Sequence, residues 1–323
     1  MPRRHLPRAR CPSSSRSFVA MPEVVLEPEI TANIIPFRRA LRRASNGLSR
    51  DLPWIGLDDP WAIFVSEVML QQTSTGRVKE PWRRFVGAYP TPIDCARAPL
   101  ADVLRLWSGL GYPRRAKSLR DAAQVMCEQF AGRVPSSVAE LLTLPGVGPY
   151  TAHAVASFAF DRRVAVLDTN VGRVLARAVA NRPLRAPEAH ALAHLLLPRD
   201  AVAAFNQAVL DLGAQLCTKV PHCAECPVRV HCRWRREGGE DPAPKSAAVS
   251  RPQAAFEGSD RQVRGRIMKS LVHGALSSRE LARELNDIDG PRVDVLVQQL
   301  IRDGLVVASS GHVALSGDVA PSH

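Results

Sequence analysis

Three groups of side chains in this 323-residue chain have the types and spacing for chemistry. The first surrounds Glu67 in FVSEVMLQQTSTGR. Placed on one helix, Glu67 lies among Phe64, Val65, Val68 and Leu70, and apolar surroundings favour the neutral form of an acid, as a general acid near neutral pH requires. The other placement is a glutamate on a polar face with Ser66. Gln71, Gln72 and Thr73 follow at the expected helix end, where two amides and a hydroxyl can bond base edges or simply cap the helix. The second group is Asp168 with Asn170 in VAVLDTNVGRVLAR. Asp168 precedes a helix and can serve as its N-cap, as an anion that stabilises a positive sugar-like transition state, or as both. Asn170, two residues on, can orient a neighbouring acid. The third is CTKVPHCAECPVRVHC, in which Cys217, Cys223, Cys226 and Cys232 follow a C-x5-C-x2-C-x5-C spacing. Four thiolates this close can surround one tetrahedral zinc or a cubane iron–sulfur cluster, and spacing alone does not choose. Either leaves no open ligand position, so the site is expected to be structural.

The element that positions these groups runs from Leu141 to Asn170. Pro145 stops one helix, Gly146 and Gly148 permit backbone conformations denied to larger residues, and the next apolar run begins within two residues. A helix therefore starts with bare N–H groups, and with Gly146, Val147 and Gly148 forming a slim hairpin a nucleic-acid backbone can come close.

The remaining sequence is helical in pattern from about Ile34 to Arg236, with apolar residues recurring at three and four in WAIFVSEVML, LADVLRLW and AVAAFNQAVLDLGAQL. Short Gly/Pro breaks separate the segments. The expected fold is all-α, a bundle in which several helix ends converge. Residues 1–30 are expected to form a disordered basic arm, 31–236 the main domain with its four-cysteine loop, 237–259 a polar, Pro/Gly-rich linker, and 260–318 a small winged-helix-like module of three short helices and a hairpin. Lys+Arg total 43 against 31 Asp+Glu, a net charge of +12 that points to a polyanionic partner. No apolar run reaches the ~18 residues of a membrane span. The uneven count of seven cysteines, four of them clustered, suits a reducing compartment with a metal site better than a disulfide framework.

Taken together, LPGVGPYTAHAV, VLDTNVGRVLAR, SEVMLQQT, GLGYPRRAK and the four-cysteine loop resemble the helix-hairpin-helix DNA glycosylases related to endonuclease III, and within them the adenine DNA glycosylases. The resemblance runs from about Asp51 to Cys232. It implies a 4Fe-4S cluster, with zinc as the alternative, and a partner of double-stranded DNA containing mispaired adenine. It also implies removal of adenine opposite 8-oxoguanine or guanine, leaving an abasic site. Bifunctional relatives carry a lysine two residues after the second hairpin glycine, where this chain has Tyr150, so a mono-functional enzyme is expected. By the same resemblance Glu67 protonates the five-membered ring of a flipped-out adenine and Asp168 stabilises the sugar. Tyr150 partners Asp168, and Asn170 orients Glu67. Gln72 and Tyr112 fill the gap beside the opposing base with Leu70, Thr73 and Leu110 as neighbours, and Trp54 and Gln207 surround the adenine.

The chain departs from that pattern in three places. The first cysteine spacer has five residues where six is common, Ile55 stands where a polar residue is usual, and no Nudix-like domain is recognisable after Arg236. A monomer in a bacterial cytoplasm, nucleoid-associated through DNA, is expected. Two rival readings are a thymine or uracil mismatch glycosylase of the same fold and a non-catalytic DNA-binding protein with a zinc module. The presence of Glu67, Tyr150, Asp168 and Asn170 together argues against the second.

Overall fold

The computed structural model describes residues 27–249 and 255–318, so most of the expected basic arm lies outside the described residues. Helix α1 (Pro28–Leu48) begins inside that arm's expected boundary because Ile30 is already buried. It is followed by α2 (Pro60–Leu70), α3 (Thr75–Ala88), α4 (Pro92–Arg97), α5 (Leu100–Leu106), α6 (Arg114–Gln129), α7 (Val138–Leu141) and α8 (Pro149–Phe160). Then come α9 (Thr169–Val174), which continues as a π-helical turn over Leu175–Ala180, α10 (Ala186–Leu196), α11 (Val202–Gln215) and α12 (Arg233–Glu237).

Two apolar cores organise these helices. Side chains of α2 to α8 build the first, and α1 joins α9, α10 and α11 in the second. Helix α2 is apolar on every side, and residues Trp61 to Met69 are all buried, as suits a central helix. Its start is fixed by Asp59, whose carboxylate accepts from the backbone N–H groups of Trp61 (2.9 Å) and Ala62 (3.3 Å), and by Pro60 in the first turn. Helix α8 packs against α2, and α11 lies against both α8 and α9. The elements carrying Glu67, Tyr150, Asp168 and Gln207 therefore meet where the cores adjoin.

The segment expected as a linker departs from that expectation. Asp241 pairs with the buried Arg177 at 2.6 Å, Ala243 and Ser246 are buried, and the Ala247 N–H donates to the Leu184 carbonyl at 2.9 Å. Its polar composition misleads because its polar groups are spent on lobe contacts rather than on water. Beyond it lie α13 (Asp260–Ser270), α14 (Ser278–Glu284) and α15 (Gly290–Arg302) with β1 (Leu276–Ser277), β2 (Val306–Ser309) and β3 (His312–Leu315). The strands form an antiparallel sheet in the order β1-β3-β2, with Val306 opposite Leu315. Val263, Ile267 and Leu315 of this module belong to the first core, so the module is welded to the helical body.

Candidate active site

Glu67 sits in the middle of α2 with 5% of its surface exposed, and its Oε2 is buried without a hydrogen-bond partner among the described residues. Burial, reinforced by the charge of Asp168, pushes its pKa from 4.5 to about 8. The carboxyl is thus an acid that keeps its proton at neutral pH. It faces a cleft of about 390 Å³ whose walls include Trp54, Ile55, Ser66, Gln207 and Asp211. Gln207 is held there by its own helix, its amide donating to Asp211 at 2.8 Å, and Asp211 is paired in turn with Arg50 at 2.6 Å. Trp54 is at once wall and core, since it is buried and meets Trp82 edge-on at 5.8 Å.

Asp168 caps α9 by accepting from the Val171 N–H at 2.8 Å, while its second oxygen accepts from the Asn170 amide at 2.7 Å. Burial raises its pKa, against the pull of these two donors and of the nearby Arg173. Asn170, expected to orient Glu67, gives its amide to Asp168, from which only Thr169 separates it at the tight start of α9. Its carbonyl oxygen accepts from Arg173 at 2.6 Å, and Arg173 also donates to the backbone carbonyls of Cys217 (2.8 Å) and Gly213 (2.8 Å). One guanidinium thereby ties the cysteine loop to the residue that orients Asp168. A side chain at Gly213 is excluded, as its Cβ would stand 2.5 Å from the Asn170 carbonyl oxygen.

Tyr150, in the first turn of α8, leaves 37% of its surface open. Its hydroxyl nevertheless lies deep enough that burial, with the charges of Glu67 and Asp168, raises its pKa well above 10.0. No direct hydrogen bond joins it to Asp168 among the described residues, and neither Tyr150 nor Asp168 lines the cleft itself. In the hairpin, Gly146 takes φ +75° and its Cβ would stand 2.6 Å from Ser118 Cβ, so only glycine fits. Gly148 is exposed, but Val147 is buried and offers no side chain to a ligand. Helix α8 starts without a side-chain cap, leaving its first N–H groups to the outside.

Gln71 bridges α2 to this hairpin, donating to Thr151 Oγ1 at 3.0 Å. Leu70 is half-buried at the end of α2, and Leu110 is core, with 2% exposed. Gln72 and Tyr112 both adopt left-handed backbone, at φ 56° and 48°, which is uncommon for residues with side chains and marks loops held from outside. Sequence reasoning passed over what holds them. Arg115 donates to the carbonyls of Val68, Met69, Gln71, Leu110 and Gly111 and to Thr73 Oγ1, at 2.6–3.2 Å, and so binds the two loops together.

Cys217, Cys223, Cys226 and Cys232 all line one small apolar cavity with Val174, Leu216 and Arg177. Among the described residues no three His, Cys, Asp or Glu side chains converge as a single ion would need. Four thiols ringing a shared cavity are the donor set that a thiolate-bound metal group requires.

The HhH-GPD superfamily base excision DNA repair protein model matches residues 65–199. A curated relative, adenine DNA glycosylase of Mycobacterium tuberculosis, is 41% identical over 308 residues, covering 92% of this chain and 99% of its own length. Among solved structures, a thermostable thymine-DNA glycosylase is 28% identical with a TM-score of 0.58 and covers 64% of this chain and 98% of its own. A trapped endonuclease III–DNA covalent intermediate aligns with a TM-score of 0.53 at 23% identity over 63% of this chain and 97% of that one, a likeness of fold. No described helix is long and apolar enough to cross a membrane. With 41% identity over nearly the whole of both chains and the superfamily model matched across α2 to α10, the chain belongs to the adenine DNA glycosylases of the helix-hairpin-helix base excision repair superfamily.

Proposed function

We propose that this chain hydrolyses the N-glycosidic bond of adenine mispaired with 8-oxoguanine or guanine in double-stranded DNA, without a lyase step. The observation that carries the reading is Glu67, a carboxyl with a pKa of about 8 in the wall of a cleft and coupled to a second carboxyl at a helix start. A base inside a duplex is out of reach, so the nucleotide must be extruded into the cleft at a cost of a few kcal/mol. Glu67 donates its proton to the five-membered ring of the base, and the glycosidic electron pair leaves with the ring. Asp168, held by Asn170 and Val171, faces the positive charge that develops on the sugar. Water then adds to the sugar carbon and gives up a proton, leaving an abasic site. Tyr150 supplies no amine for a Schiff base, which supports the mono-functional reading.

Cys217, Cys223, Cys226 and Cys232 would hold a 4Fe-4S cluster. Such a group with all its protein ligands in place supplies a rigid scaffold rather than a substrate position. The three helices and three short strands of residues 260–318 fit a winged-helix-like module, and we read the protein as a monomer acting on chromosomal DNA in the bacterial cytoplasm.

Single-turnover excision tests this reading on duplexes with A opposite 8-oxoguanine, A opposite G, T opposite G and U opposite G, with Glu67→Gln alongside. Release of adenine that needs later alkali to cut the strand, and that is lost in the variant, is the expected result. A second reading, a thymine or uracil glycosylase, is favoured by Ile55 in the cleft wall. Release of thymine or uracil alone would establish that reading and overturn the first.

A further inference from the structure

The cleft beside Glu67 runs on beyond the acid. Pockets that enclose drug-sized ligands measure roughly 300–1,000 Å³, and this one, at about 390 Å³, is of that class and larger than a bare purine needs. Three helices agree on where the surplus lies. The end of α2 meets the start of α8, Gln71 donating to Thr151 Oγ1 at 3.0 Å, so these two packed helices run antiparallel. Helix α11 runs back alongside α8. Near its start the Ala203 N–H donates to Asp161 Oδ1 at 2.7 Å and Asn206 donates to Ser157 Oγ at 2.8 Å, whereas near its end Gly213 lies against Asn170. Tyr150, Asn170 and the hairpin therefore mark one end, and the wall residues Ile63, Phe158, Ala203 and Ala204 mark the other. Ile63 precedes Glu67 by one helical turn, a rise of about 6 Å, and Ala204 precedes Asp211 by two turns, about 10.5 Å. That far end is apolar where α2, α8 and α11 line it, and it opens at Ala204, which is exposed.

Gln207 stands between the two ends, one turn of α11 from Asp211. Its amide has a fixed sense. Asp211 is buried and paired with Arg50, and its carboxylate can only accept, so Gln207 turns its Nε2 to it at 2.8 Å. What Gln207 then offers the cleft is the acceptor Oε1, to which no described residue donates. In adenine the exocyclic amine lies across the base from the glycosidic nitrogen. A base whose sugar is held at the Asp168 end, with Glu67 on its five-membered ring, therefore carries that amine toward Gln207 and the apolar end. Oε1 needs one N–H; the second hydrogen of the amine has space beyond it rather than a wall.

We propose, resting on the reading that this chain excises adenine, that its cleft also takes adenine bearing one alkyl group on the exocyclic amine: the remaining N–H donates to Gln207 Oε1, and the alkyl group lies among Ile63, Phe158 and Ala204. The chemistry is unchanged. Glu67 gives its proton to the ring, the bond between the ring nitrogen and the sugar carbon breaks with its electron pair going to the base, and water adds to the carbon and loses a proton. The alkyl group is carried away on the free base. Adenine with two alkyl groups on the amine has no N–H left, and a site built around a hydrogen bond rejects an analogue that lacks the donor.

The test uses the full chain in single-turnover excision from duplexes that carry adenine, N6-methyladenine, N6-propyladenine or N6,N6-dimethyladenine opposite 8-oxoguanine and opposite guanine. The expected rates for the methyl and propyl bases lie within about tenfold of adenine, and the dimethyl base is slower by about a hundredfold or more. The propyl base is bulkier than the dimethyl base, so size alone cannot produce that order. Ala204→Leu, a good helix former at an exposed helical position, fills the far end and lowers the ratio of propyladenine to adenine rates by about tenfold. Release of adenine with methyl and propyl bases both slower by about a hundredfold or more would overturn the proposal and leave the adenine activity standing. Dimethyladenine leaving as fast as propyladenine, or a ratio unmoved by Ala204→Leu, would overturn it as well. No adenine released from either mispair would strike the activity itself, and the alkyladenine substrates with it.

Discussion

Replacing Glu67 by glutamine should abolish excision and, at the same time, stabilise the protein by an amount that grows with pH. Between pH 4.5 and about 8 the folded protein holds a proton on Glu67 that the unfolded chain has released. Over that window the wild type loses about 1.4 kcal/mol of stability per pH unit through this group. The contribution is fully present below the unfolded value and lost as pH rises through the folded one. At pH 7 the accumulated loss is about 3 kcal/mol, and by pH 8 about 4 kcal/mol. Glutamine has no proton to lose, so it escapes the slope. Its extra N–H beside the spot where Oε2 now lacks a partner adds an offset of about 1–3 kcal/mol, but that offset does not vary with pH. Urea unfolding of both proteins at pH 5, 6, 7 and 8 reads the difference directly. The expected gap widens steadily in favour of Glu67→Gln, and wild-type excision holds up to pH about 8 before falling about tenfold per unit. Parallel stability curves would refute the assignment of a protonated, buried acid.

Arg115→Ala strips five carbonyls and one hydroxyl of a buried charged donor, and should cost about 3–5 kcal/mol with loss of excision from a misplaced Gln72 loop; a midpoint within 1 kcal/mol of wild type in urea would contradict that role. Gly213→Ala forces α11 away from Asn170, and an expected loss of about 1–3 kcal/mol in thermal unfolding should accompany slower excision. Cys226→Ser should yield colourless protein with far less than one cluster per chain by iron and sulfide assay; full zinc and no iron in the wild type would instead favour the zinc reading.

The cysteine spacing and the apolar flanks of Glu67 were legible in the sequence because both are local. A thiolate ligand set lies within one loop, and a helix displays its neighbours at three and four. Asp168 as a helix cap was legible for the same reason. The direction of Asn170 was not, because its amide is steered by Arg173 and by the absence of a side chain at Gly213, forty-three residues away in sequence. Arg115 was hidden among the many arginines, since its acceptors are backbone carbonyls from two loops that only the fold brings together. Leu110, expected beside the opposing base, is 2% exposed and serves the core, whereas Trp54, though buried, still forms part of the cleft wall beside Glu67. The segment 241–248 reads as solvent-loving, yet Asp241 answers a buried guanidinium supplied by a helix sixty-four residues earlier.

The division of the chain between its cores also sets an order of events during synthesis. Asn33 of α1 donates to the carbonyls of Ala178 (2.9 Å) and His231 (3.1 Å), 145 and 198 residues downstream. At about 5–20 residues per second a ribosome needs roughly 7–30 s to deliver the first of these acceptors. Through that interval the apolar stripe of Ile30, Ile34, Phe37 and Leu41 waits for the rest of the second core, whereas α2 to α8 can begin to pack on one another as they are made, their core being completed later by Val263, Ile267 and Leu315. The first-made helix is therefore among the last to dock, and the nascent chain is most open to chaperone capture at its N-terminal end.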